Sequence, residues 1–179
     1  MKQEILEGMI GLEIHTYLIT KEKLFCQCIA SRERGLQPNI NVCPICTGQP
    51  GAKPMLSNKT AVEKAVQIGL MLQCKINEHL IWQRKHYSWP DLPKGYQISQ
   101  YEYPLVSGGE LAGVAITRVH LEEDTASSIH DDATNATLID YNRSGVPLME
   151  LVTEPVIHSA AEAAVFAREL QLLLRYLGA

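Results

Sequence analysis

Apolar and polar residues alternate between residues 10 and 18, with Ile10, Leu12, Ile14 and Leu18 on one side of an extended chain and Glu13, His15 and Tyr17 on the other. This predicts a strand whose apolar side joins a core and whose polar side carries a carboxylate and an imidazole two residues apart. Beyond the turn-rich segment 48–54 the period lengthens. Ser57 reads as an N-cap, and Val62, Ala65, Val66, Gly69 and Leu70 recur at helical spacing, which predicts a helix to about Leu72. Between Trp82 and Tyr101 neither period is sustained and Pro90, Pro93 and Gly95 interrupt it, so a long loop or loop pair is expected. Ser107-Gly108-Gly109 is a hairpin signal, and residues 113–121 return as a strand that delivers His120, Glu122, Glu123 and Asp124. Residues 137–141 and 148–152 read as further strands, joined by Asn142-Arg143-Ser144-Gly145. Ser159-Ala160-Ala161-Glu162 has the form of a capping box, and Phe166, Leu170, Leu173, Leu174 and Leu177 form the stripe of a last helix ending near Gly178. Hairpin-linked strands with helices between them give an α+β fold, a mostly antiparallel sheet with flanking helices.

Composition narrows the function classes. With 179 residues, 46% of them hydrophobic and 20% charged, the chain can bury one sizeable core. A net charge of -4 and a pI near 5.9 exclude a surface that is basic all over, so a nucleic-acid contact would need a local patch or another subunit. No apolar run is long enough to cross a bilayer, and Met1-Lys2-Gln3-Glu4 lacks the layout of a secretion signal, so a cytoplasmic protein with no membrane partner is expected.

Three groups of residues carry candidate chemistry. Cys26 and Cys28, then Cys43 and Cys46, form two close pairs separated by a loop, the spacing that tetrahedral zinc needs; four protein ligands leave no open position, hence a structural site within a loop at about residues 25–50. A disulfide framework is the alternative, less suited to a cytoplasmic chain, and Cys74 stands apart as a packed thiol. The run Glu122-Glu123-Asp124 is either an acidic turn in water or a set of carboxylates that a divalent cation neutralises; alternation lets only one of Glu122 and Glu123 share the Glu13 face unless a bulge intervenes. Glu150, embedded among apolar neighbours, is costly to bury unless paired or bound to metal. The basic residues and five aromatics of residues 82–101 could stack a base and hold phosphates, or only pin their own loop.

Five segments, Gly11-Leu12-Glu13-Ile14-His15, Asn41-Val42-Cys43-Pro44-Ile45-Cys46, residues 90–100, His120-Leu121-Glu122-Glu123-Asp124 and residues 140–147, together resemble the B subunits of the tRNA-dependent amidotransferases. The resemblance covers nearly the whole chain but only the amino-terminal part of such a subunit, the first portion of its catalytic domain. It implies a fold like the catalytic domain of glutamine synthetase. It also implies ATP-dependent amidation of mischarged Glu-tRNA(Gln), and of Asp-tRNA(Asn) in many members. The side-chain carboxylate is phosphorylated with the help of Mg²⁺, and ammonia from the glutaminase A subunit then displaces the phosphate. Partners implied are the A and C subunits and the tRNA, the last engaged mainly by parts outside this chain. By match to the family's motifs the magnesium ligands are Glu13, Glu123 and Glu150 with His15 beside them, and Cys26, Cys28, Cys43 and Cys46 match its zinc-binding members.

Two departures bear on the expectation. Where the family commonly continues Ala-Gly-Lys after the acidic run, this chain has Thr125-Ala126-Ser127. With the remainder of the catalytic domain absent, the chain on its own is expected to fold and bind zinc but not to transamidate. A zinc-stabilised docking module, or a nucleic-acid-binding zinc ribbon without catalysis, stays open as the alternative.

Overall fold

A computed structural model describes residues 7–31, 33 and 35–179, so the leader reading of residues 1–4 lies outside the described residues. In chain order the elements are β1 (Glu13–Tyr17), α1 (Lys59–Met71), β2 (Lys75–Ile76), β3 (Gln83–His86), β4 (Tyr96–Ser99), β5 (Val106–Ser107), β6 (Glu110–Leu111), β7 (Val114–Glu123), β8 (Ser127–Asp131), β9 (Ala136–Asp140), β10 (Pro147–Thr153) and α2 (Ala160–Tyr176). The α+β expectation holds: the main sheet runs β1-β10-β7-β5-β2, all antiparallel, with β6 paired to β7.

One face of this sheet makes the core. Leu121 and Val119 of β7 and Met149 and Leu151 of β10 are buried there with Ala61, Ala65 and Ile68 of α1 and Phe166, Leu170 and Leu174 of α2. Truncating the fully buried Phe166 to alanine would cost about 3–5 kcal/mol in lost contacts and cavity. Gly69 lets α1 come this close, because a Cβ there would lie 2.8 Å from Cγ1 of Val106. The other face carries polar side chains and positions the site.

Sequence and structure differ in three local stretches and agree in a fourth. Asn58, not Ser57, caps α1, its side chain accepting from the Ala61 amide at 3.2 Å. Residues 82–101 are not loop throughout: β3 and β4 pair antiparallel, with Arg84 opposite Ile98, and the prolines sit in the turns between them. Charged side chains on β3 hid its alternation. The strand through residue 121 extends to Glu123, so both glutamates stay in regular register, and β8 pairs with β9 as a separate ribbon. The capping box of α2 forms as expected, with Ser159 Oγ accepting from the Glu162 amide at 3.2 Å.

Candidate metal centres

Register assembles the first site. His15 faces Glu150 across β1 and β10, Glu150 faces His120 across β10 and β7, and Leu148 faces Glu122. Directly paired residues share a face, so His15, Glu150, His120 and Glu122 all project to the polar side of the sheet. His15 Nε2 lies 3.1 Å from Glu122 Oε1 and 3.1 Å from Glu150 Oε2. His120 Nε2 lies 3.6 Å from Glu122 Oε2 and 3.5 Å from Glu150 Oε2, and its Nδ1 is buried without a partner. Ser99 Oγ donates to Glu122 Oε2 at 3.0 Å. Glu122, Glu150 and His120 are buried, whereas the His15 side chain is 56% exposed and closes the cluster on the solvent side.

Two buried carboxylates this close repel each other unless positive charge lies between them. Hydrogen bonding to His120, reinforced by His15, holds Glu150 down at about 2 against the opposing effect of burial. Burial would depress His120, but its bonds to Glu122 and Glu150 outweigh that and raise it. Both shifts reflect the attraction between imidazole and carboxylate, and ligand atoms of His15, Glu122 and Glu150 lie within 4.8 Å of one another. Mg²⁺ asks of a protein only one or two carboxylates, taking its other oxygens from water and phosphates, and an imidazole extends the set to Mn²⁺. The donor set therefore fits a divalent ion.

This arrangement revises which residues meet. Glu13 shares the face but sits one pair further along, exposed, opposite Val152 and lining a cavity with Arg118. Glu123 points to the opposite face, as unbroken alternation requires. It is buried in an ion pair with Lys94, and the Ile98 amide donates to its Oε2 at 3.2 Å. The expected trio of Glu13, Glu123 and Glu150 is not brought together here; Glu122 stands with His15 and Glu150. His120, passed over as a site residue in sequence, is the fourth member, and its signal was its place two residues before Glu122 on the same strand.

The cluster opens on two cavities. One, of about 380 Å³, is lined by Arg84, Lys85 and Arg118 alongside Glu13, His120 and Glu150. The other, of about 740 Å³, has Tyr87, Trp89 and His130 on its wall with His15 and Glu122 at its floor. Lys85 borders both. The basic aromatic segment pins itself, with Arg84 4.6 Å from the Tyr96 ring centre and Trp82 edge-on against Phe25, and Arg84 and Lys85 also line the cavity. Beyond the acidic run, Arg143 Nε holds the Asp124 carboxylate at 3.1 Å and donates to the Thr125 carbonyl at 3.0 Å, so the departure from the common motif is fixed by a turn arginine.

The second site is local. Lys23 N donates to the Cys28 carbonyl at 3.0 Å, closing the turn that carries Cys26 and Cys28. Thr47 N bonds to the Cys43 carbonyl and Gly48 N to the Ile45 carbonyl, both at 3.1 Å, and the Cys43 amide points at Cys46 Sγ at 3.2 Å. Gly48 turns the chain at φ +67°, where a Cβ would meet Lys94 Cγ at 2.7 Å. The four sulfurs lie within 4.8 Å of one another, and all are free thiols. A zinc–sulfur distance of about 2.3 Å sets tetrahedral edges of about 3.8 Å, so the cluster fits zinc with little movement. Charge agrees: the proton shared between Cys26 and Cys46 drives Cys46 down to about 4 and Cys26 up, and burial with the Cys43 bond pushes Cys28 to about 12. Four thiolates need a cation to coexist. Cys74 is outside the cluster, in the core, and burial raises its thiol to about 11.

Comparison with known proteins supplies the family. Residues 8–179 match the family described as the GatB/GatE catalytic domain. The chain belongs to that family. Among curated relatives, the B subunit of the aspartyl/glutamyl-tRNA(Asn/Gln) amidotransferase of Thermodesulfovibrio yellowstonii is 49% identical over 180 residues, and that of Thermomicrobium roseum is 50% identical over 182. Each alignment covers 96% of this chain and 37% of the relative, so this GatB/GatE catalytic-domain chain spans little more than a third of the length of the proteins it matches. Among the described residues of this family member no helix is long and apolar enough to cross a membrane.

Proposed function

We propose that the chain is the amino-terminal part of the catalytic domain of a tRNA-dependent amidotransferase B subunit, and that His15, Glu122 and Glu150 hold the divalent ion for phosphorylating the side-chain carboxylate of mischarged Glu-tRNA(Gln) or Asp-tRNA(Asn). The observation that carries this reading is the meeting of those three side chains between a cation-lined cavity and an aromatic-walled one. A carboxylate is a poor acyl donor because its leaving group would be oxide, so it must first become an acyl phosphate, which gives up phosphate when ammonia attacks. Mg²⁺, when bound, gathers phosphate oxygens and offsets the charge that develops on them.

The chain's own groups do the rest. Glu122 and Glu150 anchor the ion, and His120 and Ser99 fix their carboxylates in place. Arg84, Lys85 and Arg118 receive polyphosphate in the cavity on one side. The acyl substrate approaches from the other, where Tyr87 and Trp89 offer stacking surfaces. The antiparallel sheet with carboxylates on one face is the kind of platform a glutamine synthetase-like carboxylate kinase needs. Zinc at Cys26, Cys28, Cys43 and Cys46 is structural. Ammonia comes from the glutaminase A subunit, with the C subunit completing a cytoplasmic assembly.

The test uses the full-length protein with its A and C partners. Glu122→Gln should abolish ATP cleavage that depends on mischarged tRNA while leaving glutamine hydrolysis by the A subunit in place. Retention of tRNA-dependent ADP formation within a factor of two would reject the metal assignment and favour a docking module.

A further inference from the structure

Lys23 is almost completely buried, at 1% exposure, and is among the largest of the fully buried side chains. Its ammonium donates to the Asn41 carbonyl at 2.8 Å and the Tyr141 carbonyl at 3.2 Å, and lies 3.5 Å from Cys46 Sγ. Among the described residues it forms no ion pair with a carboxylate. Glu123, which lies with Lys23 around Gly145, is taken up by Lys94. An ammonium withdrawn from water costs several kcal/mol unless an opposite charge meets it, and carbonyl dipoles alone solvate without neutralising. The group in contact that takes a negative charge as a zinc ligand is the sulfur of Cys46. A zinc ion with four thiolates carries a net charge of about -2, so the cluster and the lysine each supply what the other lacks.

We propose that Lys23 is a positioning residue of the zinc centre: its ammonium is the counter-charge of the tetrathiolate, delivered through Cys46, and its two carbonyl contacts tie the ligand-bearing loop to the turn that leads into β10. The inference rests on the zinc reading above. It also accounts for a buried lysine that the phosphorylation chemistry does not use. Asn41 lies between the two cysteine pairs and Tyr141 just ahead of the turn at 142–145, so one side chain joins both segments.

The experiment compares the wild-type full chain with Lys23→Met and Lys23→Arg, measuring Zn²⁺ affinity by competition with a chromogenic chelator and thermal unfolding with and without Zn²⁺. Lys23→Met should bind Zn²⁺ about 10–100-fold more weakly, the range for lost outer-shell partners, and Lys23→Arg should retain most of the affinity. The rise in Tm on adding Zn²⁺ should shrink in Lys23→Met. With Co²⁺ in place of Zn²⁺, its sulfur-to-metal charge-transfer band should move to lower energy as the thiolates lose their counter-charge. Equal Zn²⁺ affinity in wild type and Lys23→Met, with Tm lowered by the same amount in both metal states, would overturn the proposal by making Lys23 mere packing. Should Lys23→Met fail to fold, Lys23→Gln must show the same loss of affinity, or the proposal falls. A wild-type chain that binds no Zn²⁺ through its cysteines would remove the zinc reading itself, a result distinct from the other two.

Discussion

The two clusters are built in opposite ways. Four like ligands at residues 26–46 converge because two tight turns aim them at one point, and the site is closed. His15 and Glu150 are 135 residues apart and meet only because β1, β10 and β7 hold one register; that site has mixed ligands and a half-open mouth at His15. Local geometry suits a staple, since two short turns alone bring its ligands together. Long-range geometry suits chemistry, since three rigid strands fix the groups while two cavities reach them.

The sharpest way to break this comparison is to remove a zinc ligand. Structural zinc contributes about 10–16 kcal/mol of apparent binding energy in small metal-dependent folds, as much as the whole stability of many domains. Cys46→Ser should therefore lower Tm by about 10 °C or more and abolish tight Zn²⁺ binding, read by calorimetry and chelator competition. An unchanged Tm would make the loop ordinary packing.

Next in size is the pair of adjacent glutamates. Glu123→Gln leaves the Lys94 ammonium buried without its partner, and losing one member of such a pair costs about 3–5 kcal/mol. Denaturant unfolding should show that loss, while Mn²⁺ affinity, followed by electron paramagnetic resonance, stays within about threefold of wild type. Glu122→Gln should do the reverse, losing Mn²⁺ at little cost in stability because it relieves repulsion with Glu150. If the two variants exchanged phenotypes, the register argument would be wrong.

How much of this was legible beforehand follows from the same contrast. The cysteine spacing is a local code, and it gave all four candidate ligands directly. The α+β class, the helix at 160–176 and the strand of Glu150 were legible because their periods are strong. β3 was not, because Gln83, Arg84, Lys85 and His86 show no apolar alternation; its pairing with β4 is decided by tertiary packing. The choice between Glu122 and Glu123 turned on strand parity, and residue alternation alone had already limited the face to one of them. Motif resemblance selected Glu123, whereas the pairing of Leu148 with Glu122 and of Glu150 with His120 puts Glu122 there. His120 was overlooked because its spacing of two residues from Glu122 carries weight only once Glu122, not Glu123, is placed on the Glu150 face.

The smallest predicted effect tests whether the closed cluster stops at four sulfurs. Cys74 is buried at 8% exposure in the core, its Sγ oriented toward the Leu72 carbonyl at 4.0 Å, and it lies outside the group of four. A thiol held at about 11 by burial is ionised to only about one part in a thousand at pH 8, and the thiolate is the reactive form. In zinc-loaded protein a disulfide reagent at pH 8 should therefore label no cysteine rapidly. After chelation Cys46, the thiol held low, should react first, with Cys74 slower by at least tenfold. Cys74→Ala should leave zinc stoichiometry at one per chain and cost about 1 kcal/mol, because the site loses one sulfur's contacts and no ligand. Cys74 labelled as fast as Cys46, or zinc lost in Cys74→Ala, would show that the staple draws on the core and is not the local device its turns describe.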